Sequence, residues 1–293
     1  MVQSKQDKWL EVAAYTIMSI VMLIILFPFV LLFMSSITEE TSLLVNGYSI
    51  FPKDISFAAY KYIWQSKDTI VRAYAVTIGV TIIGTALNVL ITAMVAYPLS
   101  LDKLPGKRIL SFIILFTMLF SGGLVPTYMM YTTVLKIKNT YLALLMPNLL
   151  FSAFNAIIVK TYLRCNIPPE LYESARIDGA GELTIFRKLV LPLGKSIFVT
   201  IGIFAGLGYW NDWMNGLYYV TDSSKYSIQQ LLNVMVKNIQ YLTQYGKSTG
   251  TGQIPSISLR MAIAFVAMLP MLILYPFLQK YFEKGITLGA VKG

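Results

Sequence analysis

Six long stretches of this chain carry almost no charge, and they constrain its fold more than any other feature. They run at about 13–34, 73–97, 109–131, 141–162, 196–220 and 261–279. Each approaches the roughly 20 apolar residues that an α-helix needs to cross a bilayer. None shows the period-two alternation of barrel strands. In lipid the backbone must satisfy its own hydrogen bonds, so the expected fold is an all-α integral membrane protein with six transmembrane helices. Composition agrees, with 56% of the 293 residues hydrophobic and 13% charged, against about 25% charged in a soluble domain. The chain reads as one transmembrane domain over residues 1–293.

The first stretch follows Lys5 and Lys8, as in a signal peptide. Its apolar part is too long for one and no small-x-small cleavage site follows, so it reads as an uncleaved helix. Six crossings put both termini on one side. The segments on that side, including Asp102–Arg108 and Lys160–Lys195, hold 14 of the 24 Lys and Arg. This bias makes them, and both termini, cytoplasmic. The net charge of +10 then belongs to loops flanking apolar runs, and nucleic acid is not an expected partner. Loops at about 35–72 and 221–260 face outward. In the second, Ile228, Leu231, Leu232, Met235, Ile239 and Leu242 recur at helical spacing. That amphipathic helix either lies on the membrane surface or docks an external partner. Gly246 to Gly252 has the composition of a flexible loop.

Several chemistries are excluded. The chain has no His, the usual general base and metal ligand. Its one cysteine, Cys165, cannot form an intrachain disulfide. Gly194-Lys195-Ser196 and Gly246-Lys247-Ser248 invite a phosphate-loop reading. That loop needs a further Gly five residues before the second one, and those positions hold Leu189 and Tyr241. There is no Gly-x-Ser-x-Gly elbow and no metal-ligand cluster, and the one acid at membrane depth is Asp212. The expectation is a chain that binds no nucleotide, metal or other cofactor and catalyses no covalent chemistry.

The cytoplasmic loop at about 164–192 interrupts this apolar pattern. Pro168-Pro169 suits a helix start, and Glu170 and Glu173 in the first turns favour the helix dipole. Leu171, Ser174, Ala175 and Asp178 share a face by their three-to-four spacing. Gly179 reads as a C-cap or sharp turn. A second short helix starts near Glu182, and Pro192 is expected to break it. Small side chains at Ser174, Ala175, Gly179 and Ala180 would let another backbone approach. On composition the loop could equally be an interfacial hairpin joining two spans.

Glu173-Ser174-Ala175, Asp178-Gly179-Ala180, Phe186 and Leu191-Pro192 resemble the EAA loop of bacterial ABC importer permeases. That pattern has Glu-Ala-Ala, a Gly six residues after the Glu, and hydrophobic-Leu-Pro about a dozen residues later. Ser174 stands where Ala is usual. The Asp-Gly-Ala form resembles the carbohydrate branch, in particular subunits similar to the second maltose-transporter permease. The end of the chain, Phe282 to Gly293, looks like the Gly-Leu-Thr-x-Gly-x-Val-Lys-Gly terminus of that subunit. Ser121 to Pro126 and Trp210-Asn211-Asp212-Trp213 resemble the complex-carbohydrate and lipoprotein-type group.

The resemblance implies a type I importer fold in the bacterial cell membrane. It implies a second homologous permease, two cytoplasmic ATPases that carry ATP and Mg, and an external sugar-binding protein. The loop would act as a coupling helix through Glu173, Ser174, Ala175, Asp178, Gly179 and Ala180, and the tail would lie near the ATPases. Polar groups within spans are costly and often functional. Asn88, Asn148, Asn155, Asn211 and Asp212 are therefore candidates for the substrate pathway. Trp210 and Trp213 either stack a sugar or belong to an interfacial aromatic belt, which their position favours. A stand-alone transporter or channel would explain the spans and Asp212, but not the loop or the tail.

Overall fold

The computed structural model describes residues 5–245 and 256–290. The glycine-rich segment at 246–252 and the last three residues of the tail lie outside the described residues, as do the side chains of Ile239 and Leu242. Among the described residues all regular structure is helical, apart from a single antiparallel bridge between Thr38 and Ile55.

In chain order the helices are α1 (Lys5–Ser36), α2 (Glu40–Asn46), α3 (Ala58–Gln65), α4 (Lys67–Ser100), α5 (Lys107–Leu119) and α6 (Leu124–Met129). They continue as α7 (Leu142–Leu145), α8 (Ala153–Asn166), α9 (Pro169–Ile177), α10 (Glu182–Ile185) and α11 (Leu191–Leu193). The last are α12 (Lys195–Asn211), α13 (Met214–Tyr219), α14 (Ile228–Tyr245) and α15 (Ser256–Ala290). One-turn π-helices fill Met130–Val134 and Phe186–Val190.

The apolar stretches are not six uninterrupted rods. Among the described residues α1 and α4 alone are long and apolar enough to cross a membrane by themselves. The stretch at 109–131 bends by 112° between α5 and Leu124–Val134. The stretch at 141–162 breaks between α7 and α8, and the one at 196–220 breaks at Asp212. Pro192 does not end its helix as expected. The π-turn at Phe186–Val190 precedes it, Pro192 sits inside α11, and the chain bends by 80° at Gly194 instead. A Cβ on Gly194 would press on the Phe198 ring and the Val190 carbonyl, which explains the absence of a side chain at the bend.

The chain divides into two compact units. One comprises Met1–Asp68 with Leu232–Met271. Here α1 is exposed along most of its length, as a helix apolar all round requires when lipid covers it. Its last turn is tied down, because the Ser36 hydroxyl lies 2.7 Å from the Tyr60 hydroxyl and the Phe33 ring packs on Phe265. Ala59, Leu259, Ala262 and Ile263 form the core of this unit. The Glu40 carboxylate caps α15, accepting from the amides of Ile257 (2.9 Å) and Ser258 (3.0 Å). A negative charge there complements the helix dipole.

The other unit comprises Thr69–Leu231 with Leu272–Gly293. Its axis is α4, whose buried residues Ala73, Thr77, Val80, Gly84 and Asn88 recur every three or four positions. Thr77 accepts from the Ile228 amide at 2.8 Å and so pins the start of α14. The break after α7 leaves carbonyls without helical partners, and each second one meets a side chain from another helix. Leu145 accepts from the Tyr209 hydroxyl at 2.9 Å, Pro147 from the Asn215 amide group at 2.9 Å, and Leu149 from that of Asn88 at 2.7 Å. Non-helical backbone at membrane depth survives only when buried and paired in this way.

The Tyr209 ring reaches Leu145 because Gly84 leaves room for it; a Cβ there would collide with the ring. Gly84→Ala is therefore expected to lower stability by about 1–3 kcal/mol through overpacking. Tyr209→Phe costs a similar ~1–3 kcal/mol by orphaning a buried carbonyl. Because both act through one ring, the double variant should lose less than the sum in thermal unfolding of the purified protein.

Candidate functional site

The helix expected at Pro168-Pro169 is α9, with Pro169 in its first turn and Glu170 behind it. It ends as expected at Gly179, which takes φ +79°. The Gly179 amide donates to the Arg176 carbonyl (3.0 Å) and the Ala180 amide to that of Ala175 (2.9 Å). These two bonds make a Schellman motif with Gly179 at the left-handed position. A Cβ on Gly179 would meet nothing within 4 Å. The glycine is therefore required by backbone conformation and not by crowding within this chain.

Most of α9 is exposed. Glu170, Leu171, Glu173, Ser174, Ile177 and Asp178 all face solvent, with Ile177 85% exposed. Ala175 departs from its expected face. It lies three residues after Tyr172, the one buried side chain of α9, and packs with Ala180 against the core below. The exposed face thus consists of Leu171, Ser174 and Asp178 without Ala175. Tyr172 rests 5.9 Å from the Tyr97 ring at the end of α4.

Charged groups surround this helix. Lys103 pairs with Glu173 at 3.0 Å, with the two side chains 88% and 54% exposed. Asp102 accepts from Arg164 at 3.2 Å and Lys107 at 3.4 Å. Arg176 Nε donates to Glu182 Oε1 at 2.9 Å, and the Tyr97 hydroxyl donates to Glu182 Oε2 at 2.6 Å. The hydrogen bonds from Arg176 and Tyr97 hold the Glu182 carboxyl below its ordinary value, and Glu182 in turn raises Arg176. A cavity of about 550 Å³ lies between α9 and the 101–105 turn, lined by Asp102, Lys103, Arg164, Tyr172 and Glu182 among others. Tyr97, Lys103 and Glu182 were not legible as site residues. Tyr97 and Glu182 lie 85 positions apart, and no local pattern marks them.

The pathway candidates do not converge. Asn88 and Asp212 serve the protein's own backbone: Asn88 as described above, Asp212 by accepting from the Asn215 amide at 3.2 Å. Asn155 and Trp210 are buried. Asn148 is exposed at φ +60° in the break after α7, Asn211 is exposed at the end of α12, and Trp213 is 40% exposed. Among the described residues no cluster of acids and cysteines could hold a metal ion.

A family model described as binding-protein-dependent transport system inner membrane component matches residues 1–288. The chain belongs to this family of ABC importer permeases. The permease is similar to the protein LplC of Bacillus subtilis (strain 168), 37% identical over 270 residues, covering 92% of this chain and 90% of the relative. It is also 37% identical over 289 residues to the polygalacturonan/rhamnogalacturonan transport system permease protein YtcP of the same organism, covering 98% and 100%. Among solved structures it resembles a chain of a bacterial ABC transporter involved in the import of the acidic polysaccharide alginate. The TM-score is 0.81 at 27% identity, covering 96% of the permease and 99% of that chain.

Two outcomes test this geometry. Gly179→Val is expected to cost about 1–2 kcal/mol and Gly179→Asn clearly less, since Asn tolerates the left-handed region. Thermal unfolding and protease nicking at 178–181 would rank them. The depressed Glu182 carboxyl stays ionised at neutral pH. Its contribution is full above the ordinary glutamate value of about 4.3 and is lost as pH falls through the lower folded value. Carboxyl NMR titration should find Glu182 below the ordinary value in the native protein and nearer to it in Arg176→Leu.

Proposed function

We propose that this permease is one of two membrane-spanning subunits of an ATP-driven importer of carbohydrate, delivered by an external binding protein. The observation that carries the reading is α9. A short helix with exposed Leu171, Ser174 and Asp178, closed by a left-handed glycine, stands out from an otherwise apolar molecule. Its face suits docking into a soluble partner, and with no phosphate loop in the chain that partner supplies the energy. ATP and Mg then belong to two cytoplasmic ATPases, and the permease itself is neither an enzyme nor a nucleotide binder. Both termini and α9 lie on the cytoplasmic side in this reading.

The cargo is an oligosaccharide or complex glycan. Support comes from relatives named for polygalacturonan/rhamnogalacturonan and for melibiose, raffinose and stachyose, and from the alginate importer. Closure of the ATPases would draw the two permeases' coupling helices together. That would shift the population between inward-open and outward-open states. Of the seven pathway candidates, the exposed Asn148 and Trp213 are the ones placed to meet a passing sugar, while the exposed Asn211 donates its amide group to the Leu207 carbonyl at 3.0 Å. Asn88 and Asp212 stay committed to the backbone.

The test is reconstitution of the permease with its second permease, the ATPases and the binding protein into vesicles. Labelled oligogalacturonides and raffinose serve as probes. Uptake that requires ATP and the binding protein is expected, with at least a tenfold loss in Ser174→Trp, where bulk is added to the docking face. Uptake by the permease alone would overturn the reading in favour of a stand-alone transporter.

A further inference from the structure

We propose that Tyr97 and Glu182 are positioning residues that fasten the coupling helix α9 to the spanning helix α4, so that displacement of α9 is delivered to α4. The inference rests on the coupling reading above and assigns its transmission to particular atoms.

On one side of α9 the 550 Å³ cavity separates it from the 101–105 turn, while on the other Tyr172 and Ala175 pack on the core. A docked partner could therefore move it without moving a spanning helix, unless something ties the two. Besides the apolar packing of Ala175, three side-chain attachments among the described residues reach the end of α4 or the turn after it. Lys103–Glu173 is largely exposed, and ion pairs in water contribute little. The second is the Tyr172 ring, which meets Tyr97 at 5.9 Å. The third is the relay from Arg176 Nε to Glu182 Oε1 and from Glu182 Oε2 to the Tyr97 hydroxyl.

The last two converge on Tyr97, which is 5% exposed and stands in the final turn of the 34-residue α4. The same ring also meets Phe186 at 5.9 Å, at the start of the π-turn that leads to α12. A hydrogen bond to an ionised acceptor at 2.6 Å is among the stronger ones available to a neutral donor. Glu182 is thus a two-handed acceptor, with one oxygen on the coupling helix and the other on α4. Aromatic packing alone would let α9 slide across Tyr97, whereas the directional bonds resist sliding.

The experiment uses the complete complex, with Cys165→Ser as background and spin labels at exposed Ile82 on α4 and Leu119 on α5. The label separation is read before and after ATP, Mg and vanadate with the binding protein present, and ATP hydrolysis is followed in parallel. In the native complex a population with changed separation is expected. In Tyr97→Phe and in Glu182→Gln that population should fall about fivefold relative to ATP hydrolysed, the scale of one net hydrogen bond to a half-exposed carboxylate. The double variant should fall no further than either single one, because the two residues form one linkage.

A native complex that shows no ATP-driven change would overturn the coupling reading itself. A native change with unaltered variants would overturn only the linkage, as would a double variant whose loss is the product of the single losses. Tyr97→Phe keeps both ring contacts. If Glu182→Gln does not assemble, Tyr97→Phe decides alone, a fivefold loss supporting the linkage and an unaltered population overturning it.

Discussion

Every carbonyl that leaves a helix at membrane depth must find a donor within the protein, and the second unit is arranged around that need. The break between α7 and α8 is held by Tyr209, Asn215 and Asn88, which reach it from three other helices. Leaving one such buried group unpaired costs about 1–3 kcal/mol, comparable to deleting a core methyl cluster. These bonds dictate how closely α4 and α12 approach, which is why Gly84 faces the Tyr209 ring. The π-turn before α11 and the bend at Gly194 let the chain leave the α9–α10 loop and enter α12 while keeping its backbone paired.

Helix α9 is held differently. It is polar, short and almost wholly exposed, and gains little from its own contacts. Its stability comes from two prolines at one end, a Schellman turn at the other and one buried tyrosine between them. It is joined to the end of α4 by packing and by hydrogen bonds. Tyr97 provides the apolar part of that connection and Glu182 the directional part.

Much of this was legible from local pattern. The apolar stretches foretold a helical membrane protein, and Pro168-Pro169 and Gly179 marked both ends of α9 because proline and left-handed glycine act within a single turn. The spacing from Glu173 to Leu191-Pro192 pointed to the permease family. Three local rules misled. Ala175 has the spacing of the docking face, yet the burial of Tyr172 turns it inward. Pro192 usually ends a helix, but here it stands at the start of α11, directly after a π-turn. Asn88 looked like a polar group kept for a substrate, and it serves a carbonyl 61 residues away.

By itself the sequence determined the solvent this chain folds in, the helical class and the two ends of α9. Each depends on hydropathy or on backbone preferences confined to a few neighbouring residues. Only the tertiary structure decided where the apolar stretches break, which polar side chains repair the breaks, and which residues anchor α9. Those outcomes depend on pairings between groups 61 to 85 positions apart. A hydrogen bond over such a separation leaves no periodicity in the chain, because its partners become neighbours only when the helices pack.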